Sequence, residues 1–140
     1  MKNKKGFTLV EILAVISILA VLGFVIVPIV SKQLNEAKDK LYNNQVENIK
    51  EASKMWLLDH KDVTRTGCNY HMITMGDLID GGYISKNLEN PKTKKPFERN
   101  YKILFTGFFN DGGYFEEALI KYHVGIEDES KYEDLMICKG

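Results

Sequence analysis

The sequence predicts an α+β fold in which a long N-terminal helix packs on a small antiparallel sheet. Three observations support this prediction. An apolar run extends from Phe7 to Val30, an amphipathic helical pattern continues from Ser31 to about Asp59, and segments with the alternation of strands come last, after residue 100. With 140 residues, the chain has room for one modest core once the apolar run is set aside.

The apolar run from Phe7 to Val30 contains 24 residues and a single charge, Glu11. As a helix rising about 1.5 Å per residue it would measure roughly 36 Å, enough to cross a hydrocarbon core about 30 Å thick. Three lysines and no acid precede it. The positive-inside rule therefore places Met1 in the cytoplasm and the rest of the chain outside.

Two ordinary explanations of this run leave something unexplained. A secretory signal peptide has a shorter apolar stretch that ends in small residues at a cleavage site, whereas this run continues past Pro28 into a polar helical pattern. A plain signal anchor fits the hydropathy but does not explain Glu11. A carboxylate within a membrane span is costly and usually has a partner or a function.

The residues at the start of the run resemble a known processing motif. Lys5-Gly6-Phe7-Thr8-Leu9-Val10-Glu11 closely resembles the cleavage motif of type IV prepilins and pseudopilins, and the resemblance extends over residues 5–30. It implies that a membrane peptidase cuts between Gly6 and Phe7 and then N-methylates Phe7. It also implies that Glu11 is the family's glutamate, fifth in the mature chain.

Glu11 gains a partner under this interpretation. Cleavage creates an amine at Phe7, and in a bundle of such helices the carboxylate of one subunit would pair with the amine of a neighbour. The pair would offset two buried charges and fix the axial stagger between subunits. A tolerated acid near the membrane interface is the alternative.

Pro28 occupies a position at which proline is common in the family. Because proline lacks an amide hydrogen and clashes with the preceding turn, we expect it to bend or open the helix. The family suggests that the stretch from Ala20 to Pro28 melts when subunits enter the filament, and a simple kink is the alternative. Ala20 departs from the glycine of many members, but Gly23 lies nearby.

The resemblance implies three parts. Residues 1–6 are a leader peptide, residues 7–30 a transmembrane and filament-core helix, and residues 31–140 an extracellular head. Within the head we expect an amphipathic helix over 31–59, a loop and short helix over 60–99 and an antiparallel sheet over 100–140.

The head is predicted as a helix packed on three antiparallel strands. The strand candidates are Tyr101–Thr106, Glu117–Val124 and Leu135–Cys138, with a turn at Asn110–Gly113 after the first. Thr74 followed by Asp77 resembles the capping box of a short helix over Met75–Asp80. The stretch Asn87–Glu98, with two prolines, is read as an extended loop.

Cys68 and Cys138 are the two cysteines, and they form no CxxC motif. On the predicted topology the head lies where thiols oxidise, so one disulfide is expected. Two free buried thiols or a nucleophilic cysteine are the alternatives. The latter needs a nearby histidine, and no spacing singles one out among His60, His71 and His123.

No arrangement of residues in the sequence points to catalysis or to a metal or cofactor site. There is no HExxH, no EF-hand loop and no paired histidines. The acids Asp111, Glu116 and Glu117 are read as solvated, with a calcium site as the alternative. The basic loop with Lys92, Lys94 and Lys95 is likewise read as a solvated turn, with DNA capture as the alternative. The chain balances 19 basic against 19 acidic residues, so no specific nucleic-acid partner is expected.

The sequence therefore predicts a structural subunit and not an enzyme. A prepilin peptidase would process it, and it would be held as a single-pass cytoplasmic-membrane protein among lipids. The pilus assembly machinery would then extract it into a helical homopolymer at the cell surface, for adhesion or motility. One alternative is a minor pilin or a pseudopilin of a type II secretion or competence DNA-uptake system. Another is a single-span membrane-anchored extracellular binding domain.

Overall fold

A computed structural model describes residues 6–109 and 114–138 of the chain. The lysines of the predicted leader (Lys2, Lys4 and Lys5) and the predicted turn Asn110–Gly113, with Asp111, lie outside the described residues. The described chain divides into two compact units, one ending at Lys40 and the other beginning at Leu41.

The first element is an α-helix, α1, which spans Leu9–Asp59 and contains 51 residues. The sequence predicted a helix from about Phe7 to about Asp59, so the prediction is confirmed to within two residues at the N-terminal end. The helix continues through Pro28. Pro28 is the one proline within α1, and it lacks the N–H that would donate to the carbonyl four residues earlier.

In the first unit, the described chain leaves the apolar side chains of α1 uncovered. Every large apolar side chain from Phe7 to Val30 is exposed, and the least exposed of them, Leu22, is still 49% accessible. By length and composition this helix is able to cross a membrane. Because buried apolar surface is favoured by about 25 cal/mol per Å², such a surface is stable only against lipid or other apolar chains.

The second unit has its own core, built on the C-terminal part of α1. Ile49, Ala52, Trp56 and Leu57 are buried on one face of the helix. Their spacings of three, four and one residues place them on a single stripe. The Trp56 ring lies against the ring of Phe105, with 6.1 Å between centroids, so this stripe is the surface that packs on the sheet.

The stripe packs on a three-stranded antiparallel sheet formed by β1 (Tyr70–Thr74), β4 (Lys102–Thr106) and β5 (Lys121–Val124), in the order β1-β4-β5. Ile73 pairs with Ile103, and Ile103 pairs with Val124 across the next strand. Successive side chains of a strand point to opposite faces. Ile103 and Phe105 therefore face α1, whereas Leu104 faces away from it.

Between β1 and β4 lie a short helix and a small hairpin. Helix α2 spans Met75–Asp80, and the predicted capping box is confirmed, since the N–H of Thr74 donates to Oδ2 of Asp77 at 2.7 Å. The predicted extended loop contains a two-stranded hairpin, β2 (Glu89–Asn90) with β3 (Lys95–Pro96).

Two strand predictions were wrong in detail. Leu135–Cys138 is not a strand, because Glu129–Leu135 forms a 3₁₀ helix and Cys138 makes only an isolated bridge to Cys68. The edge strand is instead β1, which lies within residues 60–99, where a loop and short helix were predicted, so the sheet is not confined to residues 100–140. The predicted strand Glu117–Val124 begins only at Lys121, because Glu117–Leu119 is also 3₁₀. Period-2 patterning locates an alternating segment but does not decide which segments pair.

Trp56 lies parallel to the rings of two histidines. The centroid of His60 is 4.2 Å from that of Trp56 with a 10° angle between the planes, and the centroid of His71 is 5.8 Å away with an angle of 13°. His71 lies on β1 and is partly buried. This burial lowers the pKa of His71, and the nearby carboxylates of Asp62 and Asp77 oppose that shift only in part.

A pH dependence follows from the lowered pKa of His71. Between that pKa and the unfolded value near 6.5, the unfolded chain binds more protons, so the free energy of unfolding should fall as the pH drops from about 6.5 towards 5. Burial also lowers the pKa of His123, which adds in the same direction. We expect His71→Gln with His123→Gln to flatten this dependence, measured by denaturant unfolding in detergent through the single tryptophan. A slope unchanged in the double variant would contradict the assignment.

Candidate functional site

The predicted cleavage site lies in an exposed, non-helical segment immediately before α1. Gly6, Phe7 and Thr8 precede the first helical residue, and Phe7 is 85% exposed. A β-carbon built on Gly6 would meet no atom within 4 Å. The surrounding chain therefore does not require glycine at this position, and the peptide bond between Gly6 and Phe7 is open to solvent.

Glu11 caps the helix in which it lies. The backbone N–H of Thr8 donates to Oε2 of Glu11 at 2.8 Å, and the N–H of Glu11 donates to Oγ1 of Thr8 at 3.3 Å. This reciprocal pair is a capping box, which satisfies two of the N–H groups that a helix start leaves without partners. The carboxylate also lies in the first turn, where the helix dipole favours an anion.

Sequence reasoning missed the role of Thr8. Its signal was present, because Thr8 is followed three residues later by Glu11 and then by an apolar run, the pattern of a capping box. The predicted pairing of Glu11 with a neighbour's Phe7 amine involves a second copy and stays a prediction. The described chain gives that carboxylate a local hydrogen-bond partner in the single chain.

A shallow apolar groove lies beside Pro28. It measures about 410 Å³ and is lined by Ala20, Gly23, Phe24, Val27 and Pro28. A β-carbon on Gly23 would meet no atom within 4 Å, so within one chain the surface there is open. Small residues on an apolar helix let another helix approach closely. The melting of Ala20–Pro28 on assembly remains a prediction.

The two cysteines are joined. Cys68 and Cys138 form a disulfide across 70 residues of sequence. Beside it, the N–H of Asn69 donates to the carbonyl of Ile137 at 2.7 Å. The bond therefore ties the last described residues of the chain to the segment that leads into β1.

In the described part of the head, the candidate chemical groups do not converge on a reactive centre. Among residues 6–109 and 114–138, no three His, Cys, Asp or Glu side chains lie together in a way that would hold a metal ion. Of the basic loop, Lys92 lies over the ring of Tyr42, 4.5 Å from its centroid, and Lys94 is 3.9 Å from a carboxylate oxygen of Glu89. His123 accepts from or donates to the hydroxyl of Thr106 at 3.0 Å.

Tyr42 and Tyr101 form a contact that the sequence did not signal. Their hydroxyl oxygens lie 3.0 Å apart and share a hydrogen bond between α1 and the residue before β4. Burial, together with the hydrogen bond to Tyr42, raises the pKa of Tyr101. Tyr101 is therefore neutral at physiological pH, and its hydrogen bond with Tyr42 joins the residue before β4 to α1.

Comparison with known proteins identifies the family to which this chain belongs. Residues 1–27 match the family described as Prokaryotic N-terminal methylation motif. The chain is also 30% identical over 93 residues to the competence protein ComGC of Bacillus subtilis, an alignment that covers 66% of this chain and 87% of that protein. The chain is a type IV pilin-like protein.

Two further relatives support the assignment of this pilin-like protein. It is 28% identical over 92 residues to the ComG operon protein 3 homolog of Bacillus licheniformis, covering 66% of the chain and 87% of the relative. It is 33% identical over 64 residues to the type IV wide pilus major component PilA4 of Thermus thermophilus, covering 46% and 49%. No solved structure matches the chain.

The methylation motif and the uncovered apolar helix together describe a membrane-anchored precursor of a surface pilus. Proteins of this family are processed by prepilin peptidase and polymerise into filaments, and their role is structural. The conclusion agrees with the resemblance that the residues from Lys5 to Glu11 carried in the sequence.

Removal of the disulfide should destabilise the head of this pilin-like protein. We expect Cys68→Ser with Cys138→Ser to lower the free energy of unfolding by about 2–5 kcal/mol, because the unfolded chain regains the freedom of a long closed loop. Denaturant unfolding in detergent would measure the loss. Reduction of the wild-type protein should reproduce the change and leave the double variant unaffected. A loss well below 1 kcal/mol would contradict the prediction.

Proposed function

We propose that this pilin-like protein is a structural subunit of a type IV pilus that serves adhesion or motility. Prepilin peptidase cleaves it between Gly6 and Phe7 and N-methylates Phe7, and the mature chain polymerises with copies of itself. The observation that carries the proposal is the processing motif placed directly before an apolar helix that the chain itself does not cover.

The position of the cut explains why the helix remains. A cut before the apolar run leaves the run on the mature protein, so the same surface first faces lipid and then faces neighbouring helices. Removal of residues 1–6 also removes the lysines that hold the precursor's N-terminus on the cytoplasmic side. The exposure of Phe7 supports cleavage at this bond. Because nothing in the folded chain requires glycine at Gly6, we assign that requirement to the peptidase.

The proposed domain organisation follows from the cut after Gly6 and from the end of the apolar run at Val30. Residues 7–30 form the membrane and filament-core helix and residues 31–140 the extracellular head, which carries the sheet and the disulfide. Pilus assembly machinery extracts the subunit from the bilayer. The relatives are structural proteins, and we propose that this chain likewise has no enzymatic activity and uses no cofactor.

The charge of Glu11 would be used between subunits. In a bundle of apolar helices an isolated carboxylate is strongly disfavoured, and a positive amine on Phe7 of a neighbour would compensate it. The capping box holds Glu11 within hydrogen-bond distance of Thr8, at the same end of the helix as that amine. A wrong axial offset would leave both charges unpaired, so the pair would select one register.

A second candidate function is that of a pseudopilin in competence. The observation that favours it is coverage: the alignments to the two ComG relatives span 87% of those proteins, whereas the alignment to PilA4 spans 49%. Deletion of the gene separates the two. Loss of abundant surface filaments supports the pilus subunit, and loss of DNA uptake with few filaments to lose supports the pseudopilin.

The experiment that tests processing is the mass and N-terminal sequence of protein sheared from the cell surface. We expect a chain that begins at N-methylated Phe7 and that is recovered in filaments. Recovery of residues 1–6 still attached, with the protein only in membranes, would overturn the proposal and favour a single-span anchored binding domain. Gly6→Ala provides the matched control. Because a β-carbon at this position meets no atom within 4 Å, the variant should fold normally, and we expect it to keep residues 1–6.

Variants of the capping box separate the charge of Glu11 from its structural contact. Glu11→Gln can still accept the hydrogen bond from Thr8 but carries no charge, whereas Thr8→Ala keeps the charge and loses half of the box. We expect Glu11→Gln to reduce filaments by at least about tenfold and Thr8→Ala to assemble nearly normally, since the loss of a cap costs about 1 kcal/mol. Electron microscopy and sheared-pilus yield measure this, and membrane levels serve as the control. Equal yields for wild type and Glu11→Gln would contradict the pairing.

A further inference from the structure

The turn between β2 and β3 forms a protruding basic tip, Lys92–Thr93–Lys94–Lys95. Two hydrogen bonds to Asn90 order the backbone of this turn. The N–H of Lys94 donates to the carbonyl of Asn90 at 2.9 Å, and the N–H of Lys92 donates to Oδ1 of Asn90 at 2.9 Å. Lys94 has a φ of 59°, a left-handed conformation that favours glycine or asparagine. Lys94 is therefore a lysine at a position where the backbone conformation is unfavourable for it.

Two amines of this tip are available to a partner. Both Lys94 and Lys95 are exposed. Lys94 reaches Glu89 only at 3.9 Å, with both side chains more than half exposed, and such surface pairs contribute little. Lys95 makes no ion pair with any residue that the structure describes.

An acidic groove lies between α1 and the segment that leads into β5. It measures about 590 Å³, and its lining includes Glu47, Glu51 and Tyr122. Glu51 lines the groove from α1 and Glu117 lines it from the 3₁₀ segment Glu117–Leu119. Neither carboxylate is in an ion pair within the described part of the chain. Burial raises the pKa of Tyr122, and the charges of Glu117 and Glu51 add to this shift, which agrees with both carboxylates facing its hydroxyl.

The amines that line the groove compensate this pair of carboxylates only in part. Lys50 is held by Glu47 at 2.8 Å. Lys54 makes no ion pair with the described residues. The three carboxylates and two amines give the groove a net charge of −1, and its interior has room for an additional amine.

The basic tip and the acidic groove of one molecule do not meet. The tip lies at Tyr42, over which Lys92 is placed. Glu51 is nine residues later on the same helix, which at about 100° per residue turns it roughly 180° away, and about 13 Å further along the axis. The two surfaces therefore lie on opposite flanks of the head, and each is open to another molecule.

We propose that the acidic groove of one subunit receives the basic tip of the next. The proposal rests on the proposed function, because it assumes copies assembled with parallel helices. The two surfaces differ, so the contact is heterologous, and a heterologous contact that does not close repeats into an open helical array. The spacing of tip and groove along α1 then offsets successive heads by about 13 Å along the axis.

Charge complementarity would here select the register of the heads. Exposed ion pairs add little affinity, but like charges brought together disfavour wrong alignments. The head contact would therefore act together with the apolar helices, which supply the driving force. Binding of a polyanion by the basic tip is the competing outcome that the experiment must separate.

The test uses wild-type filaments and a zero-length carbodiimide, which joins an amine to a carboxylate only where the two are in contact. We expect a ladder of covalent multimers, and peptides in which Lys94 or Lys95 is joined to Glu51 or Glu117. Filaments that give no such peptides would overturn the head contact and leave the pilus function intact. Failure of wild-type protein to form filaments would overturn the proposed function and, with it, this contact.

Charge reversal supplies the independent test. Lys94→Glu with Lys95→Glu, and separately Glu51→Lys with Glu117→Lys, should each lower filament yield by about tenfold at low salt. The four changes together should restore most of the yield, which a folding defect would not do. Reversal at Lys131, exposed in the 3₁₀ segment Glu129–Leu135, is the matched control and should be neutral.

Lys54→Glu should strengthen the contact between subunits, whereas the reversals above should weaken it. It makes the groove more acidic, so filaments should persist to higher salt than those of the wild type.

One result would overturn the contact between subunits. In it, both reversed pairs form normal filaments, and the tip variant loses only its binding to a polyanion such as DNA or polyphosphate. The tip would then be assigned to a polyanion.

Discussion

An apolar helix surface that the chain does not cover is the constraint on which this protein depends. Between Phe7 and Val30 no large apolar side chain is buried by the described residues, so the helix is stable only with lipid or with other such helices around it. Membrane insertion and polymerisation are then two solutions to the same physical problem. The head has its own core and does not share this dependence.

Glu11 is the one charge in that surface, and its contacts explain how the surface tolerates it. In the single chain it caps its own helix through Thr8, at the end of the span where burial is shallow. A pairing with a neighbour's amine in a filament would have to compete with this cap or extend it. The N–H of Thr8 donates to Oε2 of Glu11, and the other carboxylate oxygen lies outside that bond.

The head is held to α1 by a core stripe and by contacts at its edges. Trp56 and its neighbours pack on the sheet, the hydroxyls of Tyr42 and Tyr101 form a hydrogen bond, and the disulfide ties Cys138 to Cys68. The opposite flanks of this unit carry unlike charges, the basic tip and the acidic groove. A neutral chain can therefore have directional surfaces although its net charge is zero.

The sequence by itself determined the features that are local in the chain. The apolar run, the processing motif, the extent of α1 and the capping box of α2 depend on residues within a few turns of one another, and each was predicted correctly. Tertiary structure alone decided the pairing of strands, which made Tyr70–Thr74 the edge of the sheet in place of Leu135–Cys138. It also placed the basic tip and the acidic groove on opposite flanks. Strand pairing and side-chain proximity depend on contacts between distant residues, whose entropy cost and packing no local pattern encodes.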